Sequence, residues 1–236
     1  MKERSKYHIS DIINLIVFYC VFICFTVALI VGLVDFVAGN LELHRFLFRF
    51  AFVFVMCLPY IIRKVFKMVF SRVTTIIFYI YMFLAAFLGI VLRFYDTVPV
   101  WDMVIHFLMG IVLSVFAIYI LNYTIYKKDK SRHNLFFTFL FMIMFAMGIG
   151  ALWEIWEFSG DVLFGLYSQR FLDQNMVPLV GQAALMDTML DICMELSGSL
   201  IAVVAISFLT RYYKGFLKSF KIKRLKDKSE IEEIEE

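Results

Sequence analysis

Three apolar stretches of this sequence carry acidic or imidazole side chains at helical spacing. They are Asp102 and His106 in the first stretch, Glu154, Glu157 and Asp161 in the second, and Asp187, Asp191 and Glu195 in the third. In apolar surroundings, carboxylates and imidazoles bind divalent metals, transfer protons or pair with cations. The sequence therefore predicts a polar site inside a hydrophobic protein.

The spacing places each set of polar residues on one helix face. At about 100° per residue, Asp102 and His106 lie one turn apart and differ by about 40° around the axis. The acids of the second stretch fall within about 60°, and those of the third within about 80°. Gly110 and Gly150 extend two of these faces, and membrane helices approach each other at small residues. We expect the three polar stripes to face one another.

Seven carboxylates and one imidazole in a low-dielectric region need protons or counter-charges. Arg45, Arg49 and Arg93 can supply part of the positive charge, but three guanidinium groups do not balance seven acids. Oxygen ligands suit Mg²⁺, Ca²⁺ or Mn²⁺, and His106 also admits Zn²⁺ or Fe²⁺. Bound protons neutralise the cluster equally well.

These considerations assign expected roles to the polar residues. The candidate metal ligands are Asp102, His106, Glu154, Glu157, Asp187 and Asp191. Among them, Glu157, Asp191 and His106 are the expected catalytic groups, and the candidate substrate-binding residues are Arg45, Arg49, Arg93, Asp161 and Glu195. Structural roles remain open, because Asp102 and Asp187 stand in first helical turns, where a carboxylate complements the macrodipole.

The composition indicates which protein class holds these residues. Of 236 residues, 62% are hydrophobic and only 18% are charged, with a mean hydropathy of +0.84. Soluble domains are nearer 45–50% apolar and about 25% charged. This composition excludes a soluble enzyme, a secreted disulfide scaffold and a disordered protein.

Six segments are long and apolar enough to cross a bilayer, which takes about 20 residues. They are 13–35, 44–62, 73–94, 101–123, 135–158 and 184–209. We expect an all-α polytopic membrane protein with a six-helix transmembrane domain over 1–210 and a charged tail over 211–236. The connection 159–183 contains three glycines and a proline, so we expect an irregular or re-entrant loop.

The distribution of basic residues predicts the orientation, because Lys and Arg are retained in cytoplasmic segments. The N-terminus, two alternate connections (63–72 and 127–132) and the tail hold 19 of the 23 basic residues. The remaining four are Arg45, Arg49, Arg93 and Arg170. We expect a multi-pass protein of the cell membrane with both termini cytoplasmic, which places all three polar stripes in the outer half of the bilayer.

The order of these motifs resembles a known family. Asp102-x-x-x-His106, then Glu154-x-x-Glu157, then Asp187-x-x-x-Asp191 followed by Gly198 resembles the YjdF-type bacterial inner-membrane proteins. These are similar to the VanZ-like (teicoplanin-resistance) membrane proteins, which typically have Asn where this chain has Glu195. The resemblance covers roughly residues 73–209 and implies a bacterial cell-envelope membrane protein without specifying a reaction.

Three functions are compatible with the sequence. The first is a metal-dependent hydrolase or transferase acting at the outer leaflet on a lipid-linked or phosphate-bearing substrate. The second is a proton- or cation-coupled transporter, in which the acids of the third stretch form a relay. The third is a non-catalytic envelope factor whose buried acids fix helix packing. In each case we expect membrane lipid as a partner and no nucleic acid.

Overall fold

The computed structural model describes residues 9–39, 55–66, 68–125, 134–220 and 223–224. These residues are almost entirely helical. They form two compact units, the first made of the described residues of Met1–Val98 and Lys221–Glu236, and the second of Pro99–Phe220.

The first unit is built around two long apolar helical segments. Its elements in chain order are α1 (Ile9–Val37), α2 (Leu58–Phe66), β1 (Met68–Val69), α3 (Arg72–Met82), a π-helix (Phe83–Val91), α4 (Phe94–Thr97) and β2 (Lys223–Arg224). Phe25, Met56 and Ala86 are at most 1% exposed and belong to its core. The two short strands pair antiparallel, with Met68 opposite Arg224.

The second unit is a bundle of three long helices. These are α5 (Trp101–Thr124), α6 (Leu135–Phe164) and α7 (Gln182–Tyr212), followed by the short α8 (Phe216–Ser219). Helix α5 packs against both α6 and α7, which also contact each other. The apolar core of the bundle includes Ile118, Met142 and Ile206. All the charged residues expected on the three polar stripes belong to this unit.

Five helical segments within the described residues are long and apolar enough to cross a membrane. They are Ile16–Val37, Val73–Val91, Trp101–Thr124, Leu135–Phe164 and Gln182–Tyr212. Each overlaps one of the spans expected from the sequence. The sixth expected span, 44–62, lies mostly outside the described residues, which include its end in α2.

The connection between α6 and α7 is shorter than the sequence indicated. Helix α6 continues to Phe164 and ends at Gly165, which adopts the left-handed conformation (φ 63°) that favours glycine at helix ends. The expected boundary at residue 158 was therefore wrong by about two turns, because Gly160 packs inside the unit and Asp161 has hydrogen-bond partners in the following loop. The loop over 165–181 contains an isolated bridge between Leu172 and Pro178.

The end of the bundle opposite this loop is closed by the chain that follows α7. The side-chain amide of Asn122 donates to the carbonyl oxygens of Leu217 and Phe220, at 2.7 and 2.6 Å. Leu217 is 3% exposed, and the Phe220 ring lies edge-on to Tyr119. The first part of the expected charged tail, up to Phe220, thus packs against the bundle, while residues 225–236 lie outside the described residues.

Candidate functional site: a buried acid and imidazole cluster

The site adjoins a close approach between the backbones of α5 and α7. A Cβ atom at Gly110 would overlap the carbonyl oxygen of Glu195, and one at Gly198 would overlap that of Phe107. One turn farther along, the Ser114 hydroxyl donates to the Ser199 hydroxyl at 2.8 Å, and both residues are fully buried. This backbone contact fixes the separation of the two helices, and with it the side chains of the adjoining turns.

The centre of the site is a group of three buried side chains from these two helices. Asp102, His106 and Asp191 each offer one ligand atom, and these atoms all lie within 4.8 Å of one another. His106 is 3% exposed and Asp191 is 1% exposed. Within the described residues, His106 Nδ1 and Asp191 Oδ2 have no hydrogen-bond partner. Two carboxylates and an imidazole in this arrangement can serve as ligands of one divalent cation.

Helix α6 contributes a fourth polar group to the centre. Glu154, which is 6% exposed, places Oε1 3.9 Å from His106 Nε2. The same imidazole nitrogen lies 3.7 Å from Oδ1 of Asp102. His106 therefore stands between carboxylates from α5 and α6, and all three long helices of the bundle supply at least one group to the centre.

Arg170 is the positive charge that the structure brings to these acids. Its guanidinium nitrogens lie 3.3 Å from Oδ2 of Asp102 and 3.5 Å from Oδ1 of Asp187. The residue belongs to the loop between α6 and α7, so one loop side chain bridges acids of α5 and α7. One guanidinium group does not balance the carboxylates around it.

Asp161 connects the end of α6 to the loop that carries Arg170. Its two carboxylate oxygens accept hydrogen bonds from the backbone N–H groups of Ser168 and Gln169, at 2.8 and 3.0 Å. The Gln169 side chain in turn donates to the Thr188 hydroxyl on α7 at 2.9 Å. The loop is thus attached to both helices immediately before Arg170.

The far part of the loop has its own turn. The Asp173 carboxylate accepts from the backbone N–H groups of Val177 and Asn175, both at 2.8 Å. These bonds, that of Val177 foremost, hold the pKa of the Asp173 carboxyl below its ordinary value. Asp173 lies outside the helical spans, and its role is local to this turn.

Two further acids lie on the polar stripes without belonging to the central three. Glu157 accepts a hydrogen bond from the Trp153 indole N–H at 2.9 Å. Glu195, which is 1% exposed, places its carboxylate against Gly150, where any Cβ atom would overlap it. Its Oε1 has no hydrogen-bond partner among the described residues.

Of the three arginines that the sequence predicted beside these acids, the structure describes one. Arg93 belongs to the first unit, where its Nε lies 2.7 Å from Asp96 Oδ2. Arg45 and Arg49 lie outside the described residues. Arg170 was not assigned a role from the sequence, although one signal was present: it is the only Lys or Arg between Arg132 and Arg211.

Comparison with known proteins agrees with a membrane protein. Residues 15–212 match the family described as "Predicted membrane protein (DUF2238)". The chain belongs to this family. A DUF2238 match over this range includes all three helices of the cluster.

A curated relative of this DUF2238 chain is an "Uncharacterized protein" of Thermotoga maritima. The two are 31% identical over 94 residues, which cover 39% of this chain and 47% of the relative. The aligned part therefore spans about half the length of that relative. No solved structure matches the chain.

Proposed function

We propose that this DUF2238 protein is a cell-envelope membrane protein that binds a divalent metal ion at Asp102, His106 and Asp191. We further propose that the metal assists hydrolysis or transfer on a lipid-linked or phosphate-bearing substrate at the outer leaflet. The YjdF-type and VanZ-like resemblance agrees with a place in the bacterial cell envelope. The proposal rests on one observation: three buried potential ligands lie within 4.8 Å of one another.

The electrostatics of the cluster support a bound cation. Burying ionised carboxylates is costly unless they are paired or coordinate a metal. Among the described residues, Arg170 is the permanently charged partner of these acids, while His106, which lies 3.7 Å from Asp102 and 3.9 Å from Glu154, is charged only when protonated. A divalent ion between Asp102 and Asp191 compensates two further charges, and the imidazole of His106 favours Mn²⁺, Fe²⁺ or Zn²⁺ over Mg²⁺ and Ca²⁺.

A metal at this position supplies chemistry suited to a phosphate or ester bond. Held by Asp102, His106 and Asp191, it would act as a Lewis acid toward a substrate oxygen or a water molecule. Glu157 is the proposed general base on its helical spacing from Glu154, and the Trp153 indole N–H that donates to it at 2.9 Å would hold the carboxylate in place. Glu154 beside His106 would orient the imidazole as an outer ligand partner.

Metal content of the purified protein tests the proposal. We expect the full chain in neutral detergent to hold roughly one Mn²⁺ or Zn²⁺ ion, to lose it to EDTA and to regain it on reloading. Asp191→Asn should abolish this binding. Asp173→Asn is the matched control, since it makes the same chemical change on the exposed loop turn.

The outcomes distinguish the candidate functions. Unchanged metal content in a folded Asp191→Asn protein would contradict the metal site. Loss of folded protein in Asp191→Asn but not in Asp173→Asn would instead favour the structural role, in which the buried acids fix helix packing. Size-exclusion profiles in detergent report which of these occurs.

A second candidate function, proton or cation transport, is favoured by the order of polar residues along α7. Asp191, Glu195 and Ser199 follow at intervals of four, and Ser199 is hydrogen-bonded to Ser114 of α5. The row of buried polar side chains therefore continues beyond the acids toward the C-terminal end of α7, by about 6 Å for every four residues. If this row carries protons, proteoliposomes should show proton flux that Glu195→Gln removes, whereas a metal enzyme gives no such flux.

A further inference from the structure

Arg170 lies at the edge of the proposed metal site, and its side chain is partly shielded from solvent. Its side chain is 28% exposed, while those of Asp102 and Asp187, which it contacts, are 10% and 16% exposed. The guanidinium therefore reaches from the surface of the bundle to acids that are largely buried.

The backbone holds Arg170 in this position. Its φ of 45° lies in the left-handed region, which non-glycine residues adopt only when the surroundings require it. The two preceding residues donate their backbone N–H groups to the buried Asp161, and Gln169 also contacts Thr188. Arg170 is thus presented to the cluster by an anchored loop.

Asp102 has two potential cationic partners, Arg170 and the proposed metal ion. Its single negative charge cannot neutralise both of them. Oδ2 lies 3.3 Å from the Arg170 guanidinium, while the same carboxylate belongs to the group of three proposed ligands. A guanidinium and a divalent ion that share one carboxylate repel each other and compete for its charge. Any group that draws Arg170 away from Asp102 therefore strengthens metal binding.

We propose that Arg170 competes with the metal for Asp102, and that an anionic phosphate group bound by Arg170 relieves this competition. Phosphate binding and metal binding then reinforce each other. This inference rests on the proposed metal site and adds to it the ligand class and the control of occupancy. Because the coupling is a free energy shared by two sites, metal must tighten phosphate binding by the same factor.

The chemistry of the loop favours phosphate on an amphiphile. The planar guanidinium fork matches phosphate oxygens, and the surrounding carboxylates repel an anion that lacks such a partner. The same loop exposes Met176, Val177 and Val180, with 69%, 55% and 86% of their surfaces accessible. Apolar side chains on the loop that carries the cationic group suit a phosphate attached to an alkyl chain, and free phosphate shares the recognised chemistry.

Titration of the full-length protein with Mn²⁺ in neutral detergent tests the coupling. We compare the wild type, Arg170→Gln and Arg170→Lys, each alone, with dodecyl phosphate and with inorganic phosphate. Blank titrations remove the direct association of Mn²⁺ with phosphate. Arg211→Gln, which removes a positive charge from the last turn of α7, is the matched control.

We expect Arg170→Gln to bind Mn²⁺ about 5- to 100-fold more tightly than the wild type when no phosphate is present. Dodecyl phosphate should tighten Mn²⁺ binding to the wild type and to Arg170→Lys, but not to Arg170→Gln. Arg211→Gln should behave as the wild type. An equal effect of inorganic phosphate supports the coupling and assigns it to free phosphate, whereas an effect confined to dodecyl phosphate assigns it to an amphiphile.

Three results overturn the inference, and they are distinguishable. If the wild type binds Mn²⁺ and Arg170→Gln binds it equally or more weakly, the competition is absent while the proposed metal site stands. If neither the wild type nor Arg170→Gln binds Mn²⁺, the proposed metal site fails and the coupling fails with it. Retained enhancement by dodecyl phosphate in Arg170→Gln also contradicts the role of the guanidinium.

Discussion

The Glu195 carboxylate of α7 packs directly against Gly150 of α6. The carboxylate of Glu195 fills the space that a side chain at Gly150 would occupy. Glu195 is 1% exposed, so the carboxylate has little room to move away. Glycine is therefore required at position 150 for space, whereas its helical backbone there makes no conformational demand.

A substitution at Gly150 tests this contact. We expect Gly150→Ala to lower the thermal midpoint in detergent, and the added change Glu195→Ala to recover much of the loss. The two changes should be non-additive by about 0.5–3 kcal/mol, because they share one contact. Gly148→Ala is the control, because a Cβ atom there meets nothing within 4 Å.

The control substitution also has an expected direction. Alanine favours a helix interior over glycine by about 1 kcal/mol, so Gly148→Ala should leave the midpoint unchanged or raise it. A loss of stability in Gly148→Ala equal to that in Gly150→Ala would contradict the proposed contact.

Residue spacing alone predicted part of the geometry of this cluster. Asp102 and His106 are one turn apart in sequence, and they do lie on one face, with Oδ1 and Nε2 separated by 3.7 Å. Arg170 could not be placed in the same way, because its position depends on a loop that is held by Asp161 and Gln169. Periodicity describes residues within a helix and gives no information on how a loop folds over helix ends.

The loop over 165–181 is the element on which the position of Arg170 depends. Its attachment to α6 includes the two backbone N–H groups that donate to the Asp161 carboxylate. Asp161 is 8% exposed, so these bonds are shielded from water. Asp161 is therefore a positioning residue that acts on Arg170 through the backbone.

Hydrogen exchange measures this attachment. We expect Asp161→Ala to speed amide exchange at Ser168 and Gln169 by about 10-fold or more, since a hydrogen bond to a charged group contributes about 1.5–3 kcal/mol. Exchange in the middle of α6 should not change. Ser159→Ala is the control, because within the described residues its hydroxyl donates back to Ile155 of the same helix. Equal exchange in all three proteins would show that Asp161 does not hold the loop.

Helices α5 and α7 are in close backbone contact at their glycines. At Gly198, an added Cβ would meet the backbone oxygen of Phe107, which cannot move without shifting a helix. We expect Gly198→Ala to destabilise the protein by about 1–3 kcal/mol, as overpacking of a tight interface does. Thermal unfolding in detergent measures this, with exposed Ser197→Ala as the control. A midpoint equal to that of the control would exclude a close contact at Gly198.

Helix boundaries were predicted less well than helix existence. Ser159, Gly160 and Asp161 are typical of a loop by composition, yet α6 continues through them to Phe164. Gly160 lies against Leu166, and Asp161 has two donors beyond the helix end, so tertiary contacts outweigh local preference. The apolar stretches themselves identified five helical segments that are long and apolar enough to cross a membrane, to within a few residues except at this boundary.

For the whole molecule, the uneven distribution of basic residues gives a prediction about orientation. The loop that carries Arg170 contains one basic residue, whereas the chain from Arg211 to Lys228 contains eight. Positively charged segments stay in the cytoplasm, so the acid cluster should open toward the outer face.

Cysteine labelling measures this orientation. In a chain whose four native cysteines are replaced, Asn175→Cys should react with a membrane-impermeant maleimide in intact cells. Ser219→Cys should react only after the membrane is opened. Both positions are exposed in the folded chain, so a difference reports the side of the membrane. Labelling of Ser219→Cys in intact cells would show the opposite orientation to the one predicted.

The contact of Asn122 with the chain beyond α7 has a practical consequence for recombinant work. The last long helix ends at Tyr212. Truncation of the protein there would remove the buried Leu217 side chain from the end of the bundle, and it would remove the two carbonyl oxygens to which the Asn122 amide donates. A shortened version intended for crystallisation should therefore retain Phe220, and an affinity tag should be fused downstream of that residue.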